Sequence, residues 1–273
     1  MTARSDRHRA YRARYGPAAV VTGASGGIGR ALSSELAARG FDLVVVGRRR
    51  DRLDELAGQL REEHRVGVQA LALDLSRPGA PARLLADTEH ADVGMYVAAA
   101  GFGTSGGFLD SDQVAEMEML RVNAEAVLLT TLGFARRMVH RGSGGIILFS
   151  SIVAFQGVPR SASYAATKAY IQSLAEGLRP ELVRHGVDVL ATAPGPVHSE
   201  FAARAGMTMG RALTPADVAR PTLDALGRQG TVTPGTLSKV LSASLAPLPR
   251  RVRTRIMAGV MRGMTPDPNA SVA

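Results

Sequence analysis

Short, almost unbroken apolar runs alternate with longer amphipathic stretches along this chain. The runs AAVVT (18–22), DLVVV (42–46), VGVQALAL (66–73), VGMYVA (93–98), GIILFS (145–150) and VDVLATA (187–193) have the near-continuous apolar character of strands covered on both faces. Between them, apolar positions recur at helical spacing near 28–39, 50–63, 80–89, 112–140 and 162–185. Pro180 is expected to bend or interrupt the last of these, because proline has no N–H to donate and crowds the preceding turn. A further helix is predicted near 215–227, with Thr214 as its N-cap and Pro215 at its first position. Alternation of this kind builds βαβ units. The expected fold is a single doubly wound α/β domain, with a mostly parallel central sheet and helices on both faces.

Beyond residue 235 the pattern changes. Leu237, Val240, Leu241, Leu245 and Leu248 share one helical face, and after APLP so do Val252, Ile256, Met257, Val260 and Met261, interleaved with arginines. A helical C-terminal extension is therefore expected, packed on the domain or on a subunit partner, with contact to an anionic membrane surface as the rival reading. The expected divisions are a basic N-terminal tail over 1–15, a catalytic domain over 16–235 and an amphipathic basic extension over 236–273.

Charge follows the same divisions. The 273 residues carry a formal net charge of +9. Residues 1–15 supply +4 and residues 239–273 supply +5, so 16–238 is formally neutral. Nucleic-acid binding would need a basic groove across the body of the fold, which the charge distribution does not support, so no nucleic acid is expected. The absence of cysteine excludes a disulfide framework, a thiolate metal site and a cysteine nucleophile, and no metal is expected. MTARSDRHRAYRARYG lacks the apolar core of a secretory signal, and no run approaches the roughly 18 apolar residues of a transmembrane helix. A cytoplasmic protein is expected.

The first strand runs directly into TGASGGIGRAL. Gly23, Gly27 and Gly29 are spaced so that the backbone turns tightly and approaches a pyrophosphate lying on the amides of the next helix. The spacing G-x-x-x-G-x-G, written TGASGGIG, resembles the short-chain dehydrogenase/reductase family, including its ketoacyl-reductase-like and hydroxysteroid-dehydrogenase-like members. The resemblance covers roughly residues 16–235. It implies a Rossmann-type fold and a nicotinamide cofactor against Ser25, Ile28, Leu75, Ala100 and Gly101 as well as the loop glycines. After the second strand the chain reads VVVGRRRDRL, with Gly47 where an NAD-preferring site offers an acid. Arg48 and Arg49 follow it; a guanidinium pairs with a 2′-phosphate, whereas a carboxylate repels one. NADP(H) is expected over NAD. By resemblance, Asp74 bonds the adenine amino group.

Ser150 and Ser151 close the fifth strand, and Tyr164 and Lys168 share one face of the helix that follows. In the resembling family the catalytic serine precedes the tyrosine by thirteen residues, which selects Ser151, and Asn123 in LRVNAEAVLLT matches the asparagine that holds a water in the proton relay. The implied tetrad is Asn123, Ser151, Tyr164 and Lys168. Hydride transfer to a carbonyl carbon leaves an alkoxide in need of a proton, which Tyr164 would donate and Ser151 would prepare by hydrogen bonding. Running the reaction backwards needs a tyrosine pKa about 3 units below its usual value, or roughly 4 kcal/mol. One ammonium about 4 Å away, at an effective dielectric of about 20, supplies about 4 kcal/mol. Lys168 is of the right size, and by resemblance it also bonds the nicotinamide ribose.

In APGPVHSEF, the resemblance implies that Pro194 and Gly195 shape the loop beside the nicotinamide and that Val197 meets its carboxamide. Ser199 stands where the family usually has threonine. AAAG (Ala98–Gly101) replaces the usual Asn-Asn-Ala-Gly, removing two side chains that tie the central sheet but no proton-transfer group. The segments where the family sets specificity contribute Phe102, Ile152, Phe155, Val158, Phe201, Met207 and Met209, an apolar selection, while Gly206 and Gly210 permit a mobile lid. The expected function is an NADP(H)-dependent oxidoreductase interconverting a ketone and a secondary alcohol on a lipophilic, oxoacyl or steroid-like substrate. The alternative is a non-catalytic NADP-binding sensor or scaffold. The family implies a homodimer or homotetramer.

Overall fold

Successive strand residues point to opposite faces, and in this chain both faces are apolar and covered. The computed structural model describes residues 3–208, 210 and 212–265. Seven strands, β1 (Ala18–Thr22), β2 (Asp42–Gly47), β3 (Val68–Ala72), β4 (Val93–Ala98), β5 (Gly144–Phe149), β6 (Val187–Thr192) and β7 (Thr231–Val232), form one parallel sheet in the order β3-β2-β1-β4-β5-β6-β7. Val21, Val45, Val97 and Ile147 bury on one face with α2 (Gly27–Ala38), α3 (Arg50–His64) and α9 (Pro215–Ala225). Val20, Val44, Tyr96 and Ile146 bury on the other with α4 (Ala80–Asp87), α6 (Ala126–Arg141) and α7 (Ala162–Val183). This is the doubly wound Rossmann-type domain. The strand order reverses between β1 and β4, where a cleft opens beyond the strand C-termini.

The six expected strands form within a few residues of their predicted bounds. β7 escapes prediction because two residues offer no alternation to read. α7 continues through Pro180, which sits in its last turns, where losing one backbone donor is a small cost. The long helical pattern at 112–140 is α5 (Gln113–Leu120), a π turn over Arg121–Glu125, and α6. Thr214 caps α9 in a reciprocal box with Asp217.

The arginine-rich first segment, read from sequence as a tail, contains helix α1 (Ala3–Tyr15). Its aromatic residues account for this. Tyr15 is buried and its hydroxyl donates to Asp188 Oδ2 at 2.8 Å, while Tyr11 stacks edge-on to Tyr15 and Phe41 and lies under the Arg39 guanidinium. The C-terminal extension forms α10 (Thr236–Leu245) and α11 (Arg250–Met264). Its apolar residues do not share one buried face: Leu245, Met257 and Met261 pack inward with Val158 and Ala165, whereas Leu237, Val240, Val252, Ile256 and Val260 stay exposed. Among the described residues, no helix is long and apolar enough to cross a membrane.

Candidate functional site

The glycine loop joins β1 to α2 and brings the N-terminal amides of α2 to the cleft. Gly23 has φ +71°, and a Cβ there would stand 2.8 Å from Ala100 Cα. A Cβ at Gly29 would stand 2.3 Å from Gly23 O. Backbone therefore fills the space that side chains would take, leaving a hollow lined by amides that fits a pyrophosphate. Gly47 serves the same packing, since a Cβ there would press on Ser25 at 3.1–3.2 Å.

Arg49 donates from Nη2 to Ser25 O at 3.1 Å and pairs through Nη1 with Glu200 Oε2 at 2.7 Å. It thus bridges the glycine loop to α8 (Glu200–Arg204). Asp74 accepts from the Ser76 amide and hydroxyl. Partial burial works against its charge, but those two bonds, with Arg48 and Arg77 nearby, hold its carboxyl below the usual range. The loss of the family's asparagines in AAAG is offset in part by Thr22, whose hydroxyl accepts from Ala100 N and donates to Val97 O, tying β1 to β4.

At the end of β5, Ser151 stands near enough to the Tyr164 hydroxyl to ease its ionisation, and its Oγ lies 3.4 Å from Pro194 O. Ser150 lines the same cavity, but its hydroxyl donates to Lys168 O at 3.1 Å, so hydrogen bonding separates the two serines. Lys168 Nζ donates to Phe149 O at 2.8 Å and lies 5.7 Å from the Tyr164 ring centroid. Asn123, held inward by the π turn, accepts from Phe102 N at 3.1 Å and donates to Phe102 O at 2.8 Å and Thr167 Oγ1 at 3.1 Å. Both its amide hydrogens are used within the protein. It stands behind Phe102, outside the cavity wall.

The electrostatics differ from the sequence expectation. Burial pushes the Tyr164 phenol up, and the Ser151 hydroxyl only partly offsets it. Burial also pushes Lys168 down to about 8. Desolvation thus outweighs the expected stabilisation of a phenolate by the ammonium. Burial therefore favours the neutral phenol at Tyr164.

Each residue named from sequence as a cofactor contact lines one cavity of about 580 Å³, which Ser151 lines as well. Phe102, Ile152, Phe201 and Met207 of the expected substrate set line it too. Val158 is instead buried in the cluster under α11, and Phe155 lines a neighbouring cavity of about 320 Å³. Met209 lies outside the described residues. Ile152, Leu241 and Met257 line both cavities. Phe201 tilts over the Tyr164 ring with centroids 5.3 Å apart. The loop around Gly206 is tied down, with Ser105 Oγ donating to Ala205 O and Thr208 N to Met264 O.

The roof was missed from sequence. Leu237, Ser238, Leu241, Met257, Val260, Met261 and Met264 of α10 and α11 line the same cavity. A Cβ on Gly195 would meet Ser238 Oγ at 2.2 Å, so α10 packs directly on the Pro-Gly turn. The available signal was the methionine spacing 257, 261, 264, which marks one helical face.

The family model described as short chain dehydrogenase matches residues 17–209. The chain is 31% identical over 233 residues to a 7beta-hydroxysteroid dehydrogenase of Clostridium sardiniense, covering 84% of this chain and 89% of that one. A solved structure described as giving insights into 7beta-hydroxysteroid dehydrogenase stereoselectivity superposes with a TM-score of 0.83 at 28% identity, covering 90% of this chain and 98% of the other. A short-chain dehydrogenase from Sphingobium yanoikuyae in complex with NADPH gives 0.76 at 31% identity, covering 85% and 93%.

Proposed function

The chain belongs to the short-chain dehydrogenase family, and on that footing we propose that it is an NADP(H)-dependent oxidoreductase interconverting a ketone and a secondary alcohol on a lipophilic, steroid-like or oxoacyl substrate. The observation that carries this reading is the meeting of Ser151, Tyr164 and Lys168 on the wall of a cavity whose glycine-lined end suits a dinucleotide and whose other end is apolar. When bound, the nicotinamide supplies or takes up hydride at the carbonyl carbon.

The protein's own groups handle the oxygen. The Ser151 and Tyr164 hydroxyls donate to it as charge develops, and Tyr164 gives up its proton. Lys168, charged below about pH 8, steadies the resulting phenolate. Asn123 positions Phe102 and the helix carrying Lys168. Arg48 and Arg49 would hold the 2′-phosphate, which supports NADP(H) over NAD. The apolar roof from α10 and α11 excludes water and supports a lipophilic substrate, and similarity to a 7beta-hydroxysteroid dehydrogenase supports a steroid-like one. Exposed Val114, Met117 and Leu120 on α5 and Leu128, Leu129 and Leu132 on α6 support a homodimer or homotetramer, to be checked by sedimentation. The cysteine-free composition suits a reducing cytoplasm.

The test is loss of NADPH absorbance with a panel of ketones. Tyr164→Phe is expected to lower kcat by about 10²–10⁴-fold, the usual worth of general acid–base catalysis. Equal rates for the two proteins would overturn the mechanism, and cofactor binding without turnover of any ketone would favour a sensor.

A further inference from the structure

Helices α10 and α11 each present one side to the catalytic cavity and another to the outside. On α11, Met257 and Met261 are 3% exposed and face inward, while Val252, Ile256 and Val260, spaced four apart, form an outer stripe 38–39% exposed. Helical spacing sets Arg251, Arg255 and Arg262 in a second outer stripe beside it. On α10, Leu237 and Val240 are 60% and 59% exposed and flank Lys239.

From Thr231 to Thr265 the chain has six cations and no acid. Arg253 is engaged by the carbonyls of Leu248 and Ala246. Lys239, Arg250, Arg251, Arg255 and Arg262 make no ion pair among the described residues. A second copy would bring the same positive face in a two-fold contact, setting like charges against each other. An anionic bilayer complements both stripes, with phosphates for the arginines and acyl chains for the aliphatic side chains. Leu237 and Val260 belong to the exposed face and to the wall of the cavity at once.

We infer that the α10–α11 face docks on an anionic lipid bilayer, and that lipophilic substrate passes between bilayer and cavity past Leu237 and Val260. The passage rests on the oxidoreductase reading above; the docking does not.

Flotation of the full chain with phosphatidylcholine vesicles, with and without phosphatidylserine, tests it. The protein is expected to float with the phosphatidylserine vesicles at low salt and to be released as salt rises. Arg251→Gln/Arg255→Gln/Arg262→Gln should weaken partitioning about a hundredfold. Val252→Ser/Ile256→Ser should weaken it too, with circular dichroism and NADPH binding unchanged in both variants. Failure to float with anionic vesicles, or arginine variants that float like the wild type, overturns the proposal. So does a Val252→Ser/Ile256→Ser variant that dissociates an oligomer in sedimentation while flotation is unchanged, since the face then joins copies of the chain. Flotation is read without ketone, so a protein that floats but reduces nothing sinks the oxidoreductase reading and the passage that rests on it, and leaves the docking standing.

Discussion

Lys168 donates from Nζ to the Phe149 carbonyl oxygen at 2.8 Å, fastening the helix that carries the tyrosine to the end of β5. The ammonium is buried, and burial pushes it down to about 8, while burial pushes Tyr164 up. For ketone reduction by NADPH, kcat/KM is expected to be flat through neutral pH and to fall above about pH 8 as Lys168 loses its charge. Steady-state rates across pH check this. A profile that stays flat to the usual lysine range would show that the charge at Lys168 is not needed.

The same buried ammonium costs stability. Folded Lys168 titrates at about 8 and the unfolded residue at its usual 10.5, so between those values the unfolded chain holds more protons and stability rises with pH. At neutral pH the residue is charged in both states and the folded chain carries the whole cost, roughly 3 kcal/mol. Lys168→Met removes that cost and loses one hydrogen bond worth about 1 kcal/mol. The variant should be inactive yet about 2 kcal/mol more stable at pH 7, with the gain gone near pH 10. Urea unfolding at the two pH values decides it.

Arg49 shares its guanidinium between Ser25 and Glu200, and its side chain is 40% exposed against 67% for the glutamate. An exposed pair of this kind is weak. Glu200→Gln should free Arg49 and lower the Kd for NADPH a few-fold, leaving NADH unchanged. Arg49→Ala should raise the NADPH Kd about tenfold, again without touching NADH. Fluorescence titration with both cofactors checks this, and equal shifts for the two would remove Arg49 from the 2′-phosphate site.

The Tyr15 hydroxyl and Arg14 both donate to Asp188, fastening α1 to β6. Tyr15→Phe leaves the carboxylate short of a buried donor and should cost about 1–3 kcal/mol without changing kcat. Combined with Asp188→Asn the losses should be less than additive, as measured by denaturant midpoints.

The sheet was legible because strands buried on both faces have little freedom in composition, as in Val20, Val21 and Val44 to Val46. The cleft was legible because Gly23 and Gly29 occupy places where a Cβ would strike backbone. What sequence missed depends on contacts between distant segments. Nothing in Tyr15 announces Asp188, nothing in Glu200 announces Arg49, and Thr167 gives no local sign of holding Asn123. The mixed face of α10 and α11 hid the roof, because inward methionines and outward valines produce one apolar pattern in sequence. The direction of the Tyr164 shift was beyond pairwise reasoning, since desolvation depends on everything packed around the ring.

The roof also comes last. The phosphate hollow and the groups proposed to handle the proton lie between Gly23 and Ser199, whereas α10 and α11 begin only at Thr236. The roof is thus written in a separate stretch from the proposed reacting groups, while Phe102, Ile152, Phe201 and Met207 complete the wall from upstream. Replacing the final helices would change which molecules fit and how dry they are kept, while leaving the acid, its neighbouring hydroxyl and its cation where they stand. On the proposed reading, altering the last thirty or so described residues is expected to shift which molecules fit while Ser151, Tyr164 and Lys168 stay in place.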